Sequence, residues 1–317
     1  MAVGIIGSGH ALPSRVVSND HFDTIGLTDE WIYRRTGIHQ RRWLNEDDQL
    51  QELAQAAVNM ALTSAATDPG AVDLLIVATT TAERRVPALA PLVAADVGMK
   101  DTAGYDLNAA CSGFLYGITM GIALIESRRY NTIVVCGIDG LSRITNSQDR
   151  NTACLFGDAA GAVVLAEGET FRKPYSSLGS DGARSELISM DDTNSFLCLE
   201  GLDVYEYAVC KMSSELKQLL DREAALGNEI TVLIPHQANG KMLKTIQSGL
   251  DSHTAGLFYS NIELVGNTSA ASIPVALHCA LTSHAVRPAG RLASVSFGAG
   301  MTWGAVSIDY DVAVSSC

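Results

Sequence analysis

Tyr105-Asp-Leu-Asn-Ala-Ala-Cys111-Ser-Gly113 runs from a short strand-like segment through small residues to a cysteine and a glycine. Residues 114–129 follow with the spacing of a helix, and Thr132-Ile-Val-Val-Cys136 then reads as a buried strand. The predicted helix is apolar nearly all round from Phe114 to Ile125, which marks a helix enclosed on several sides in a multilayer fold. The alternation extends in both directions. Leu74-Leu-Ile-Val-Ala78 and Ile230-Thr-Val-Leu-Ile234 are apolar runs of the kind found in buried parallel strands. Ala293-Ser-Val-Ser-Phe297 alternates and suits a strand at a layer boundary. Further helices are predicted over 50–63 and 212–226. This succession of strands and helices specifies an α/β fold.

A faint internal echo fits a duplicated α/β unit, with chance matching of Gly- and Ala-rich text as the competing reading. Phe156-Gly157 is followed by Gly161-Ala-Val163, and Phe297-Gly298 by Gly304-Ala-Val306. Both are glycine-rich turns feeding an apolar strand. The pattern is interrupted between Glu167 and Ser180, around Lys173-Pro174 and several Gly and Ser residues. Residues 1–170 and 171–317 are therefore expected to form two similar halves.

The chain has 317 residues, 47% apolar and 18% charged, a balance that excludes disorder. Its net charge is 22 − 35 = −13, which argues against binding nucleic acid or an anionic membrane face. No window reaches about 18 uncharged apolar residues, so no membrane span is expected. The first fifteen residues carry no cationic segment before an apolar one, so no secretory leader is expected. The ending Val-Ser-Ser-Cys317 does not fit a prenylation box. Seven cysteines, an odd number with no C-x-x-C pair, read as the reduced thiols of a cytoplasmic protein.

Three segments carry chemistry. Cys111 stands where a turn becomes a helix, and the unpaired N–H groups and dipole of a helix start stabilise a thiolate. A packed cysteine in a crowded turn is the competing reading. Leu233-Ile-Pro-His236-Gln-Ala-Asn239 puts His236 directly after a buried strand, where α/β sites assemble. Val265-Gly-Asn267-Thr-Ser-Ala270 puts Asn267 among small residues ahead of an apolar helix. Alone, His236 also fits a structural histidine, and Asn267 a cap or turn residue. Together with a cysteine they acquire a chemical logic, because both side chains can donate hydrogen bonds to an oxygen that becomes negative.

These segments resemble the β-ketoacyl-acyl-carrier-protein synthase III family of the thiolase-like superfamily. The resemblance runs from about Gly4 to Ile308. It is carried by Asp29-Glu-Trp31-Ile-Tyr-Arg-Arg35-Thr-Gly-Ile38, Ala109-Ala-Cys111-Ser-Gly-Phe114, Asp149-Arg150 and Phe156-Gly-Asp158-Ala-Ala-Gly161. Pro235-His236-Gln-Ala-Asn239, Gly266-Asn267-Thr-Ser-Ala-Ala-Ser272 and Phe297-Gly-Ala-Gly300 complete it. The resemblance implies a five-layered αβαβα fold of two duplicated halves, usually a homodimer.

It also implies a two-step acyltransferase reaction with no permanently bound cofactor and no metal. Cys111 would take an acyl group from acyl-CoA. Malonyl-acyl-carrier protein would then lose CO2, and its carbanion would attack the acyl carbon. His236 and Asn267 would steady the enolate, and the N–H groups of Cys111 and Ala299 the tetrahedral intermediate. Trp31 and Arg150 would sandwich the CoA adenine, with Arg35 and Asn239 on the same CoA-binding face. Lys241 and Lys244 would dock the acidic carrier protein.

Three departures from the family pattern concern the substrate. Glu83-Arg84-Arg85-Val86-Pro87 brings two cations to the primer-pocket segment, and Val86 replaces a larger aromatic residue across the dimer. Gly201-Leu202-Asp203-Val204-Tyr205 lacks one polar CoA contact, and Ala299 stands where Gly is usual. Two alternatives therefore accompany the lead reading. One is a relative with another primer or acceptor, such as a dicarboxylic primer like glutaryl-CoA for a biotin precursor, a polyketide or other secondary-metabolite pathway, or acyl transfer to oxygen. The other is a catalytically silent dimer partner, against which the intact Cys111, His236 and Asn267 set argues.

Overall fold

The computed structural model describes residues 1–190 and 196–313; Cys317 lies outside the described residues. Five strands of the first half are β1 (Ala2–Ala11), β2 (Leu74–Ala78), β3 (Ala103–Leu107), β4 (Ile133–Gly140) and β5 (Asp158–Gly168). They lie side by side in the order β1-β5-β4-β2-β3. Strand β5 is antiparallel to β1 and β4, whereas β2 is parallel to β3 and β4. The second half repeats this plan with β6 (Tyr175–Ser180), β7 (Val232–Leu233), β8 (Ala289–Gly298) and β9 (Thr302–Asp311). Their order is β6-β9-β8-β7, and a parallel bridge from Leu233 to Phe258 stands where a fifth strand would follow. Strand β9 is antiparallel to β6 and β8, and β7 is parallel to β8. β1 and β9 meet in parallel at Gly4–Asp309 and Ile5–Tyr310.

Seven helices matter for the layers and the site. They are α1 (Asp29–Thr36), α2 (Leu50–Ser64), α3 (Leu89–Val97), α4 (Gly113–Glu126), α5 (Gly201–Ala225), α6 (Gly240–Ser248) and α7 (Ser272–Thr282). Strand alternation assigns each residue to a layer. Leu75, Val77, Val134 and Cys136 point outward and pack on Val58, Leu62 and Val93 of α2 and α3. Leu74, Ile76, Ile133 and Val135 point inward onto Phe114, Ile118 and Ile122 of α4. The same inner cluster takes in Ile273 and Leu277 of α7, then Val232, Leu292 and Val306 of the second sheet. Leu233, Ala293 and Val295 face the other way, onto Ala208, Met212, Leu216 and Ile246 of α5 and α6. The result is five layers, αβαβα, with α4 and α7 enclosed between the sheets. Among the described residues no helix is long and apolar enough to cross a membrane.

Three elements differ from the sequence expectation. Helix α5 begins at Gly201 rather than at 212; it buries Val204 and Ala208 in register with Met212, Leu216 and Leu219. The ladder of β7 is two residues long, although the N–H groups of Thr231 and Ile234 also bond across to Arg291 and Ala293. Strand β8 is buried from Arg291 to Gly298 instead of lying at a layer boundary. Its alternating serines are fully buried, and Ser294 donates to the Ile234 carbonyl at 2.6 Å. Small hydroxyl residues thus imitate a wet face.

Candidate active site

Helix α4 opens from a 3-10 turn, Ala110–Ser112, in which Ala110 adopts φ +49°. Helix α7 opens in the same way, from Ser269–Ala271, with Ser269 at φ +52°. A positive φ costs about 1–3 kcal/mol in a non-glycine residue and gathers where function requires a sharp bend. The duplication therefore reaches down to the strained turns. One turn carries Cys111 and the other follows Asn267. They touch through Ser269, whose hydroxyl donates to Cys111 Sγ at 3.4 Å.

His236 follows β7, and its N–H extends the ladder to the Val295 carbonyl at 2.8 Å. Its Nδ1 lies 2.7 Å from the Ser272 hydroxyl at the start of α7. Ser272 Oγ also accepts from the Gln237 N–H at 3.4 Å; in the tautomer in which the Ser272 hydroxyl donates to Nδ1, the ring proton sits on Nε2. Burial drives the His236 pKa down to about 3. The ring is thus neutral, and in that tautomer Nε2–H is a donor.

Asn267 is pinned by its backbone, donating to the Leu155 carbonyl at 2.9 Å and accepting from the Gly157 N–H at 3.0 Å. Its Oδ1 accepts from the Ser269 N–H at 2.9 Å, which leaves the NH2 end as the donor for a ligand. Two neutral donors on one cleft suit an oxygen that gains charge during reaction.

At Cys111 burial opposes the thiolate that a helix start favours. Burial pushes its pKa up to about 12, and the Ser269 hydrogen bond offsets only part of this. The buried Asp139 carboxyl adds to the rise. The helix start supplies geometry, while desolvation decides the protonation state.

Cys111, His236, Asn267 and Ala299 line a single cleft of about 1570 Å3. Trp31, Arg35, Asn239, Lys241 and Lys244 line it too. The Arg35 guanidinium stacks on Trp31, 4.7 Å from the ring centroid. Asn239 caps α6 by accepting from the Lys241 N–H at 2.9 Å, and Lys241 and Lys244 are exposed on that helix. Gly201 to Tyr205 line the cleft as the first turn of α5.

Arg150 is not among the lining residues. Its guanidinium bonds instead to the Gly26 carbonyl at 2.9 Å, so Arg35, not Arg150, covers Trp31. Arg84, Arg85 and Val86 also lie outside the lining, on an exposed loop where Val86 is 86% exposed.

Four residues at the site carried no assigned role in the sequence. Ser269 and Ser272 sat unremarked within the Asn267 segment. Gly298 ends β8 against the nucleophile's turn, and a methyl there would stand 2.8 Å from Cys111 N. Asp139 is wholly buried at the end of β4 and belongs to no quoted segment, so nothing local signals it. Among the described residues no group of three or more His, Cys, Asp or Glu could hold a metal ion.

Two family models match the chain: 3-oxoacyl-[acyl-carrier-protein] synthase III over residues 105–182, and the C-terminal part of the same family over residues 220–310. A β-ketoacyl-[acyl-carrier-protein] synthase III from Listeria monocytogenes is 37% identical over 310 residues, covering 97% of this chain and 99% of its own. The crystal structure of the 3-oxoacyl-[acyl-carrier-protein] synthase III of Aquifex aeolicus superposes with a TM-score of 0.90 at 34% identity. It covers 98% of this chain and 100% of that one. The priming β-ketosynthase of the R1128 polyketide pathway superposes with a TM-score of 0.90 at 29% identity, covering 98% and 97%. Matched along nearly its whole length in sequence and fold, the chain belongs to the β-ketoacyl-acyl-carrier-protein synthase III family, with the thiolase-like fold, and is a condensing acyltransferase.

Proposed function

We propose that Cys111 is the residue acylated by acyl-CoA, and that malonyl-acyl-carrier protein is the second substrate. In the first half-reaction the sulfur attacks the thioester carbonyl, and the N–H groups of Cys111 and Ala299 receive the oxyanion. The Cys111 sulfur loses its proton, the bond from the acyl carbon to the CoA sulfur breaks, CoA leaves as a protonated thiol, and the acyl group stays as a thioester. In the second, the malonyl group loses CO2, and the electron pair of the broken C–C bond passes into an enolate. His236 Nε2–H and the Asn267 amide hold its oxygen. The enolate carbon then attacks the acyl carbon, the bond to Cys111 Sγ breaks, and the sulfur leaves as a thiolate that takes a proton from solvent as the β-ketoacyl product forms. Because decarboxylation supplies the carbanion, no strong base is needed, which suits two neutral donors. The observation that carries this reading is the convergence of Cys111, His236 and Asn267 on one cleft with both donors unprotonated beyond neutrality.

CoA would lie along Trp31, Arg35 and Asn239, with Arg150 at the outer end, and no permanent cofactor is required. Lys241 and Lys244 at the mouth would steer an acidic carrier protein toward a chain of charge −13. We read residues 1–170 and 171–317 as the two duplicated halves, and the cytoplasm as the compartment.

A homodimer is also proposed. The loop bearing Arg84, Arg85 and Val86 sits beside edge strand β3, since Asp106 of β3 accepts from the Leu89 and Ala90 N–H groups at 2.7 and 2.8 Å. Across a dimer axis at that edge, a second copy's loop would complete the primer pocket. Incubation of the enzyme with acetyl-CoA and malonyl-acyl-carrier protein tests the reading. It should yield CO2 and a β-ketoacyl-carrier protein in equal amounts. Hydrolysis of acyl-CoA without any carbon–carbon bond formed would overturn it.

A further inference from the structure

The backbone that holds Asn267 is itself held from behind. Within residues 154–157, Leu155 and Gly157 bond to Asn267: the Leu155 carbonyl accepts its N–H at 2.9 Å, and the Gly157 N–H donates to its carbonyl at 3.0 Å. The carbonyls of the two residues between, Cys154 and Phe156, are taken by a different element. That element is a small antiparallel sheet of Arg15–Ser18 and Gln40–Trp43, in which Val17 pairs with Arg41 and Arg15 with Trp43. Residues two apart on a strand share a face, and Arg41 and Trp43 use theirs as a pair of donors. Arg41 Nη2 donates to the Cys154 carbonyl at 2.6 Å, and the Trp43 indole N–H to the Phe156 carbonyl at 2.9 Å. One residue further on, the Leu44 N–H donates to Asp158 Oδ2 at 2.8 Å.

Arg41 is fully buried and stands against the Asn267 turn. A methyl at Gly157 or at Gly266 would lie 3.2 or 3.1 Å from its Cβ. Its guanidinium is tied on the other side as well, with Nη1 donating to Asn19 Oδ1 at 2.8 Å and to the Val17 carbonyl at 3.2 Å. Asn19 in turn donates to Asp29 Oδ1 at the start of α1 and to the Ile38 carbonyl just past its end, both at 2.7 Å. Trp43 is half-buried, edge-on to His21 and Phe22 with ring centroids 5.2 and 5.8 Å away. Neither Arg41 nor Trp43 lines the cleft, whereas Cys154, Leu155 and Phe156 do. The two donors therefore act on the cleft wall without meeting anything bound in it.

We propose that Arg41 and Trp43 are positioning residues for condensation, aiming the Asn267 amide through the backbone of residues 154–157. This rests on Asn267 serving the condensation step. A donor stabilises a developing oxyanion only while it is held at the right place, so a small shift of its backbone weakens the transition state more than the ground state. Loss of the Trp43 N–H would leave the Phe156 carbonyl unpaired and free the segment from which Asn267 hangs. The Cys111 turn is anchored elsewhere. The Thr302 hydroxyl donates to the Ala109 carbonyl at 2.9 Å, and the Thr302 carbonyl accepts from the Ser112 hydroxyl at 3.2 Å. Among the described residues that turn shares no hydrogen bond with Arg41, Trp43 or residues 154–157. Acyl loading is therefore not served by this clamp.

The test compares Trp43→Phe with wild type in both half-reactions: loading from acetyl-CoA by intact-protein mass spectrometry, and condensation of pre-acylated enzyme with malonyl-acyl-carrier protein. Phenylalanine keeps an aromatic ring and deletes the indole N–H. Loading should stay within about twofold of wild type, while condensation should slow about five- to tenfold, the kinetic equivalent of one lost hydrogen bond. In an Asn267→Ala background the same substitution should change condensation by less than about twofold, because the amide it aims is gone. Arg41→Lys keeps the charge but gives up the guanidinium fork, and should show the same split with a larger loss; if that variant does not fold, Trp43→Phe decides. Condensation at the wild-type rate in Trp43→Phe overturns the proposal. So does an equal loss in both half-reactions, or the full five- to tenfold loss repeated on top of Asn267→Ala, since a general loosening of the fold would give about the same factor in either background. Undiminished condensation by Asn267→Ala alone would instead sink the reading of the amide itself, so the two failures are distinguishable.

Discussion

Asn267 and His236 are donors of the same kind held by different means. The amide is fixed by the Ser269 N–H on its Oδ1, and the imidazole by the Ser272 hydroxyl on its Nδ1. Neither needs a charge to act. Asn267→Ala should therefore still accept an acyl group on Cys111 yet lose condensation by about a hundredfold or more, since one oxyanion donor contributes roughly 3–4 kcal/mol. Equal losses in loading and condensation would contradict this division. With its pKa near 3, His236 stays a neutral donor throughout the range in which an ordinary histidine titrates. Condensation by pre-acylated enzyme should therefore show no inflection near the ordinary histidine value of 6.5, and stopped-flow rates across about pH 5.5 to 8.5 check it. The three chemical side chains were legible in the sequence because each follows a recognisable strand or precedes a recognisable helix. Asp139 and Ser269 were not, because packing alone brings their segments together: the Ala270 N–H donates to Asp139 Oδ2 at 3.4 Å across 131 positions of sequence.

At the scale of elements, the site depends on how closely β8 approaches the turn before α4. Gly298 allows that approach, and Thr302 strengthens it by donating to the Ala109 carbonyl at 2.9 Å. Gly298→Ala should push the strand end off the Cys111 amide, lower stability by about 1–3 kcal/mol, and abolish acyl loading. Chemical denaturation and mass-spectrometric loading measure the two effects. Unchanged loading would show that Ala299 and Cys111 do not need this spacing. The enclosed helix α4 and strands β2 and β4 were legible because their apolar runs are continuous. The start of α5 was hidden, because Gly201 and the tyrosines 205 and 207 weaken a pattern carried by Val204 and Ala208. Strand β8 was misjudged as a boundary because serine reads as polar even when its hydroxyl is bonded inside the core.

For the whole molecule, the duplicated sheets place both strained turns at one central seam and bury the chemistry between them. Burial has a consequence for acid stability. The folded His236 pKa of about 3 lies below the ordinary value of 6.5, so the unfolded chain takes up a proton that the native one refuses. Stability is therefore complete above about 6.5 and is lost as pH falls below it. Between pH 7 and 5, wild type should lose about 2 kcal/mol more than His236→Gln in denaturant titrations; equal losses would contradict a neutral buried ring. The two-half fold was partly legible from the glycine-rich echo, and the loop carrying Arg84, Arg85 and Val86, read from the sequence as a pocket wall contributed across a dimer, lies outside this chain's own cleft. The central claim is that Cys111 carries the acyl group, and intact-protein mass spectrometry of wild type and Cys111→Ala after exposure to acetyl-CoA tests it most directly. The account predicts one acyl adduct on wild type, mapped to the peptide containing Cys111 and discharged by malonyl-acyl-carrier protein, and none on Cys111→Ala. An adduct on Cys111→Ala, mapped to Cys136, Cys154 or any other residue, would contradict it.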